Sequence, residues 1–234
     1  DHQIRNPLSC ILMFTELSLV TCFIKYYIYI CKLYIRIFGM FSSPKIKTDI
    51  VLAIYRESRT VFRLKDIAIL VGEDSFQSLN KKLNYYVRTR KLENPRKGIY
   101  AKPGYNLEEL ACTIFTPSYI SLESVLQKAG IVFQYDSRLT SVSYLSRNIE
   151  VGNQQFVFRK IKGSALVNTL GIIRQTNHIN IASPERAFLD LLYLEKDYYF
   201  DNLNPLDKGL IHKLLPLYQS KPLSINVTKM IKND

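Results

Sequence analysis

The sequence predicts an α+β protein in two parts: a small, basic, mainly helical module closed by a β-hairpin, then a mixed α+β domain. Three observations predict it. Positive charge is concentrated in one segment. That segment shows three helical patterns followed by a short basic hairpin. Beyond it, the hydrophobic period switches between 3.6 and 2.

The chain has 234 residues, 47% of them hydrophobic and 22% charged, which is the balance of a protein with a packed core and not of a disordered one. Its formal net charge is +12. Residues 45–102 hold 14 Lys/Arg against 6 Asp/Glu, a net +8, while residues 1–44 and 103–234 carry +2 each. Two thirds of the excess therefore lies in a quarter of the chain. A basic unit of this kind suits a polyanionic partner, either nucleic acid or an anionic membrane.

Within that unit a first helix is expected over Ile46–Glu57, because Ile46, Ile50, Val51, Ile54 and Tyr55 recur at helical spacing. Thr60–Phe62 is β-branched and aromatic and suits a short strand. A second helix fits Leu64–Leu70, with Ile67, Leu70 and Val71 inward and Gly72 placed to end it. A third starts at Asp74 or Ser75, where Asp74 and Gln77 have capping-box spacing. Its apolar stripe is Phe76, Leu79, Leu83 and Val87. Leu92–Glu93 and Ile99–Ala101 then pair as a hairpin around Asn94–Gly98, with Arg96 and Lys97 at its tip. Helix, strand, two helices and a basic hairpin, in that order, make a winged helix-turn-helix, which is expected over residues 41–104.

The expected partner is double-stranded DNA. The outward face of the third helix carries Gln77, Ser78, Lys81, Lys82, Tyr85 and Arg88. Gln and Ser can bond base edges, and Lys and Arg can reach phosphates or guanine. The N-terminal end of such a helix enters the major groove, so Gln77 and Ser78 are the base-reading candidates. Arg96 and Lys97 would rest on the DNA backbone. Lys65, Ser75, Arg90 and Lys91 complete the candidate set. The plain alternative is a solvated surface rich in lysine.

Residues 105–234 predict an α+β domain. Helices fit Asn106–Ile114 and Ser121–Ala129; strands fit Leu139–Tyr144, Asn148–Val151 and Gln155–Lys160, with a turn at Gly152-Asn153. Gly171–Arg174 and Ile179–Ile181 add short strands. Ser183-Pro184-Glu185 opens a further helix with a capping Ser, a first-turn Pro and an acid near the positive dipole end. Two more helices fit Pro205–Leu217 and Ser224–Ile231.

No catalytic set emerges, and the chain is expected not to be an enzyme and to need no cofactor or metal. His2, His178 and His212 are scattered, and no phosphate loop occurs. Gly163-Ser164 is not followed by the Asp-x-Asp that nucleotidyl transfer requires, and Glu150 with Lys160 lacks a nuclease's partner Asp. Arg186 and Asp190 have the spacing of an intrahelical ion pair. Cys10, Cys22, Cys31 and Cys112 form no C-x-x-C pair, so a reducing, cytoplasmic setting is the simplest expectation.

Residues 1–40 stand apart. Leu8–Ile24 is apolar around a central Glu16. It reads as a membrane helix, as a secretory signal without the usual flanks, or as translated sequence upstream of a true start at Met40; the last is preferred. A membrane partner is expected only if residues 8–38 are a genuine span.

Three stretches together resemble one family. They are the module from Leu64-Lys65-Asp66-Ile67-Ala68 to Arg96-Lys97-Gly98-Ile99-Tyr100, then Pro117–Ser124, then Ile181-Ala182-Ser183-Pro184-Glu185-Arg186-Ala187-Phe188-Leu189-Asp190. From Pro44 onward the chain is similar to the AbiEi antitoxins of type IV toxin–antitoxin systems. The resemblance implies a winged helix that binds inverted repeats upstream of its own operon and represses it; repeats of that kind would suit cooperative binding by two protomers. It also implies a C-terminal domain that neutralises a nucleotidyltransferase toxin without a stable complex. Two other readings stay open: a ligand-sensing winged-helix regulator, and a DNA-processing enzyme with a winged-helix targeting module.

Overall fold

The computed structural model describes residues 49–232. The expectations for residues 1–40, and for the first helix before Asp49, lie outside the described residues. The described protein is α+β, with two sheets.

The first described helix, α1 (Ile50–Arg56), starts after Asp49. The reason is local: Asp49 is extended, and its carboxylate accepts from the Val51 amide at 2.9 Å, so the helix is capped there. β1 (Val61–Arg63) leads directly into α2 (Leu64–Val71), which stops at Gly72 in the left-handed region, φ 63. α3 (Phe76–Arg88) is capped by Ser75, whose hydroxyl accepts from the Ser78 amide. The expected Asp74–Gln77 capping box therefore gives way to a cap one residue later. Leu79 and Leu83 are fully buried, as the stripe requires, but Phe76, the first residue of the helix, is 53% exposed and lies outside the small core formed by Ile54, Phe62, Ile67 and Leu92.

β2 (Glu93–Arg96) and β3 (Ile99–Ala101) form the hairpin, with a register irregularity between Glu93 and Arg96 and a turn through Gly98 at φ 79. β3 is central in an antiparallel sheet of order β1-β3-β2. Tyr100 is buried on β3, and its hydroxyl donates to the Asn80 side chain at 2.5 Å, fastening α3 to the sheet.

α4 (Leu107–Ile114) follows, capped by Asn106. The remaining strands, β4 (Ser118–Ile120), β5 (Leu139–Ser143), β6 (Arg147–Val151), β7 (Gln154–Lys160), β8 (Ile172–Arg174) and β9 (Asn180–Ala182), form one six-stranded sheet of order β6-β7-β5-β4-β9-β8. β5 runs parallel to β7, and β4 parallel to β9; the other pairs are antiparallel. Strand β4 is central, yet the sequence pattern did not predict a strand there: three residues after a proline carry no visible alternation.

The sheet is covered by α5 (Glu123–Lys128), α6 (Gly163–Val167), α7 (Pro184–Leu194), α8 (Lys208–Leu214) with the 3-10 turn Leu215–Tyr218, and α9 (Lys221–Lys232). The helix expected from Ser121 begins at Glu123, because Leu122 sits at φ 62 and cannot continue a right-handed helix. The expected Pro205–Leu217 helix is shorter, starting at Lys208 where the Asp207 carboxylate caps the Gly209 and Leu210 amides. Helix α7 is the spine, buried from Glu185 through Leu192 and packed against α5 and α8. A separate cluster of Val61, Ile99, Ala101, Leu110, Ala111, Phe156 and Phe158 joins the small sheet, α4 and the large sheet. Among the described residues no helix is long and apolar enough to cross a membrane.

Candidate nucleic-acid interface

Helix α3 is amphipathic because its two sides have different neighbours. Leu79 and Leu83 enter the module core, and Tyr86 and Val87 pack against it. The other side is open: Gln77, Lys81, Lys82, Tyr85 and Arg88 are exposed, and Ser78 is half-buried. Gln77, Lys81 and Arg88 make no ion pair or side-chain hydrogen bond among the described residues. Tyr85 is 53% exposed and meets Tyr86 edge-on at 5.6 Å.

The remaining sequence candidates divide. Lys82 is paired with Glu73 at 2.5 Å, a contact that holds the Glu73 carboxyl below its usual range. Ser75 uses its hydroxyl as the α3 cap. Arg90 occupies the left-handed region at φ 56 where the chain leaves α3, and Lys91 lies over the Tyr86 ring at 5.9 Å. Both are exposed. In the hairpin, Lys97 is exposed at the turn, but Arg96 is not at a free tip: it is half-buried, with its guanidinium 5.8 Å from the centre of the Phe115 ring. Two residues apart in a strand, side chains share a face; adjacent ones oppose, and Arg96 turns towards Phe115. Lys65 lines a different feature.

That feature is a cleft of about 670 Å³ between the β1–α2 corner with α4 on one side and the segments around α6 and β8–β9 on the other. It was not foreseen from sequence, since its residues come from four separated stretches. One wall is fixed by Glu109, buried on α4, which accepts from the Thr60 amide and hydroxyl and from the Val61 amide at 2.7–3.1 Å. Arg63 adds to it, donating to the Thr113 carbonyl and the Thr116 hydroxyl.

Behind the opposite wall lies a buried charge network. Arg186 and Asp190 do form the expected intrahelical pair, at 3.5 Å, but with both side chains fully buried. Arg186 donates to the Ala165 and Leu170 carbonyls at 2.5 and 2.9 Å and to the Tyr119 hydroxyl at 3.2 Å. Asp190 accepts from Tyr218, Ser121 and Tyr119 at 2.6, 2.8 and 3.2 Å. Burial pushes the Asp190 carboxyl up, against Arg186 and the three hydroxyls, which hold it down. Burial and Asp190 together push both tyrosines up. No spacing rule connects Tyr119, Ser121 and Tyr218 to helix α7; only the fold brings them there.

No family model matches the chain, and no curated protein is similar to it. The chain is similar, at a TM-score of 0.44 and 12% identity, to the crystal structure of the RV2827C protein from Mycobacterium tuberculosis, over 74% of this chain and 72% of that one. Among the described residues no group of three or more His, Cys, Asp or Glu is placed to hold a metal ion.

Proposed function

We propose that this chain is a DNA-binding repressor that acts through a winged helix-turn-helix, with α2 and α3 as the helix-turn-helix, α3 as the recognition helix and β2–β3 as the wing. The observation that carries the reading is the exposed face of α3. Gln77, Lys81 and Arg88 stand there with no ion pair or side-chain hydrogen bond among the described residues, on a helix fastened to the module by Leu79, Leu83 and Asn80. Lys97 and Lys91 extend that free charge beyond the helix. Unneutralised cations next to an exposed amide are what phosphate contacts and base readout require.

The further role, an antitoxin that represses its own operon and neutralises a nucleotidyltransferase, is supported by the sequence resemblance from Pro44 onward. The non-enzymatic reading has the same support, together with the missing Asp-x-Asp. The cleft beside α2 favours a second reading, a ligand-sensing regulator.

Fluorescence anisotropy of the full chain on labelled DNA from upstream of its own gene, against scrambled DNA over a salt series, tests the proposal. Sequence-selective binding with a steep salt slope is expected. Equal, weak binding to both DNAs would reduce α3 to a solvated basic face.

A further inference from the structure

We propose that the cleft between the β1–α2 corner and the β8–β9 region is a binding site for a small organic phosphate of nucleoside monophosphate size. Three features lead there.

The walls are built in advance. Glu109 and Arg63 fix one side through backbone amides and a carbonyl, and Arg186 holds residues 165 and 170 of the other. Tyr119 in the floor is locked by both members of the buried pair. A preformed concave site loses little freedom when it is filled.

The charge is unbalanced. Lys65, Arg174 and His178 line the cleft, and none has an ion pair or side-chain hydrogen bond among the described residues. The two carboxylates in the lining are already used: Asp66 accepts from the Arg63 amide at 3.1 Å, and Glu109 is bound to Thr60 and Val61. Those neutral donors leave both carboxylates charged, but Arg59, Arg63, Lys65 and Arg174 outnumber them in the lining, so the cleft is net positive, and guanidiniums, an ammonium and an imidazole around one space suit a phosphate monoester.

The lining is also more than charge. Val61, Leu166 and Ile172 give it an apolar wall for a flat ring. The Asn177 side-chain oxygen is buried and has no donor. His178 next to it sits in the exposed turn before β9, at φ 66. An apolar wall beside cations suits a nucleoside that carries a phosphate. A bare phosphate would use only the cations.

The test is isothermal titration of the full chain, in moderate salt, with AMP, GMP, CMP and UMP, with the four parent nucleosides, and with inorganic phosphate. At least one nucleotide should bind at one per chain, and its nucleoside and inorganic phosphate at least tenfold more weakly. Arg174 is exposed, so Arg174→Gln should leave the fold and DNA binding intact yet weaken the nucleotide tenfold or more. Arg88→Ala should leave nucleotide binding unchanged. No binding by any of the four nucleotides, or an Arg174→Gln variant that binds as the parent does, would overturn the proposal. Loss of nucleotide binding in Arg88→Ala would overturn it too, by assigning the signal to the α3 face. DNA binding by the parent is read separately, so the two proposals fail independently.

Discussion

Helices α3 and α7 hold charge in opposite ways. On α3, Lys81 and Arg88 reach solvent with no ion pair among the described residues; on α7, Glu185, Arg186 and Asp190 are buried and bonded, Glu185 to the Asp207 amide and the other two to a ring of hydroxyls and carbonyls. A buried charge without partners costs several kcal/mol, so charge inside a core must be answered by that core; the Arg186 Nε, buried without a hydrogen bond, has the Asp190 carboxylate at 3.5 Å. Charge at the surface carries no such demand, because water answers it. The contrast also explains the most conspicuous stretch of sequence, Ala182–Ala187. Ser183 caps, Pro184 starts the helix, Glu185 holds the Asp207 amide and Arg186 pins residues 165 and 170. A stretch that marks a family resemblance is here a folding device.

The largest expected effect breaks the buried side of this comparison. Arg186→Met leaves Asp190 without its cation and two carbonyls without their donor. Urea unfolding should show a loss of about 3–5 kcal/mol, and Arg186→Met with Asp190→Leu should regain part of it, because an apolar pair leaves no unanswered charge. DNA affinity of the folded fraction should not move. A loss under 1 kcal/mol would mean that the network is looser than its distances indicate.

Cys112 tests the same principle with a titration. It is 9% exposed on α4, and burial pushes its thiol up to about 11 from 9.0. The unfolded chain therefore loses this proton first as pH rises. The stability that this thiol contributes is whole below pH 9 and is lost as pH climbs towards 11. Between pH 7.5 and 10.5 the parent should lose about 2 kcal/mol more than Cys112→Ala does. Equal losses in the two proteins would place the alkaline transition on other groups, with Tyr119 and Tyr218 the first to check.

What could be read from sequence divides along similar lines. The α3 stripe, the Gly72 stop, the turn at Gly152 and the Ser183 cap were legible because each depends on neighbours within a turn or two. Strand β4 was not, because Ser118–Ile120 is too short to show alternation and is a strand only by virtue of β5 and β9 beside it. Nor was the cleft: Lys65, Glu109, Arg174 and His178 are far apart in the chain, and nothing in their local context distinguishes them from ordinary surface charge. The α7 pair lies between these cases. Its spacing was visible, but its burial was not, since that depends on Tyr119, Ser121 and Tyr218.

The exposed side of the comparison predicts effects on DNA instead of on folding. Gln77→Ala should lower the preference for the cognate site by roughly 1–3 kcal/mol and leave binding to scrambled DNA unchanged. Lys81→Ala or Arg88→Ala should weaken both DNAs alike and reduce the salt slope by about one. Unfolding of all three should match the parent within about 0.5 kcal/mol. Should Gln77→Ala leave specificity untouched, the base-reading position is elsewhere on α3, with Ser78 the next candidate.

The smallest effect is the most discriminating, because it separates two neighbours in one hairpin. Arg96 and Lys97 look alike in sequence, as paired cations at a hairpin tip. In the fold, Arg96 is half-buried over the Phe115 ring and Lys97 is exposed at the turn. A guanidinium over an aromatic face contributes about 0.5–1 kcal/mol at a partly exposed site. Arg96→Ala should therefore lower stability by about that amount and barely change DNA affinity. Lys97→Ala should do the reverse, leaving unfolding alone and taking up to about one unit from the salt slope. If both substitutions act only on DNA, Arg96 leaves Phe115 when the partner arrives, and the wing moves on binding. If both act only on stability, the hairpin belongs to the core side of the comparison and the DNA contact rests on α3 alone.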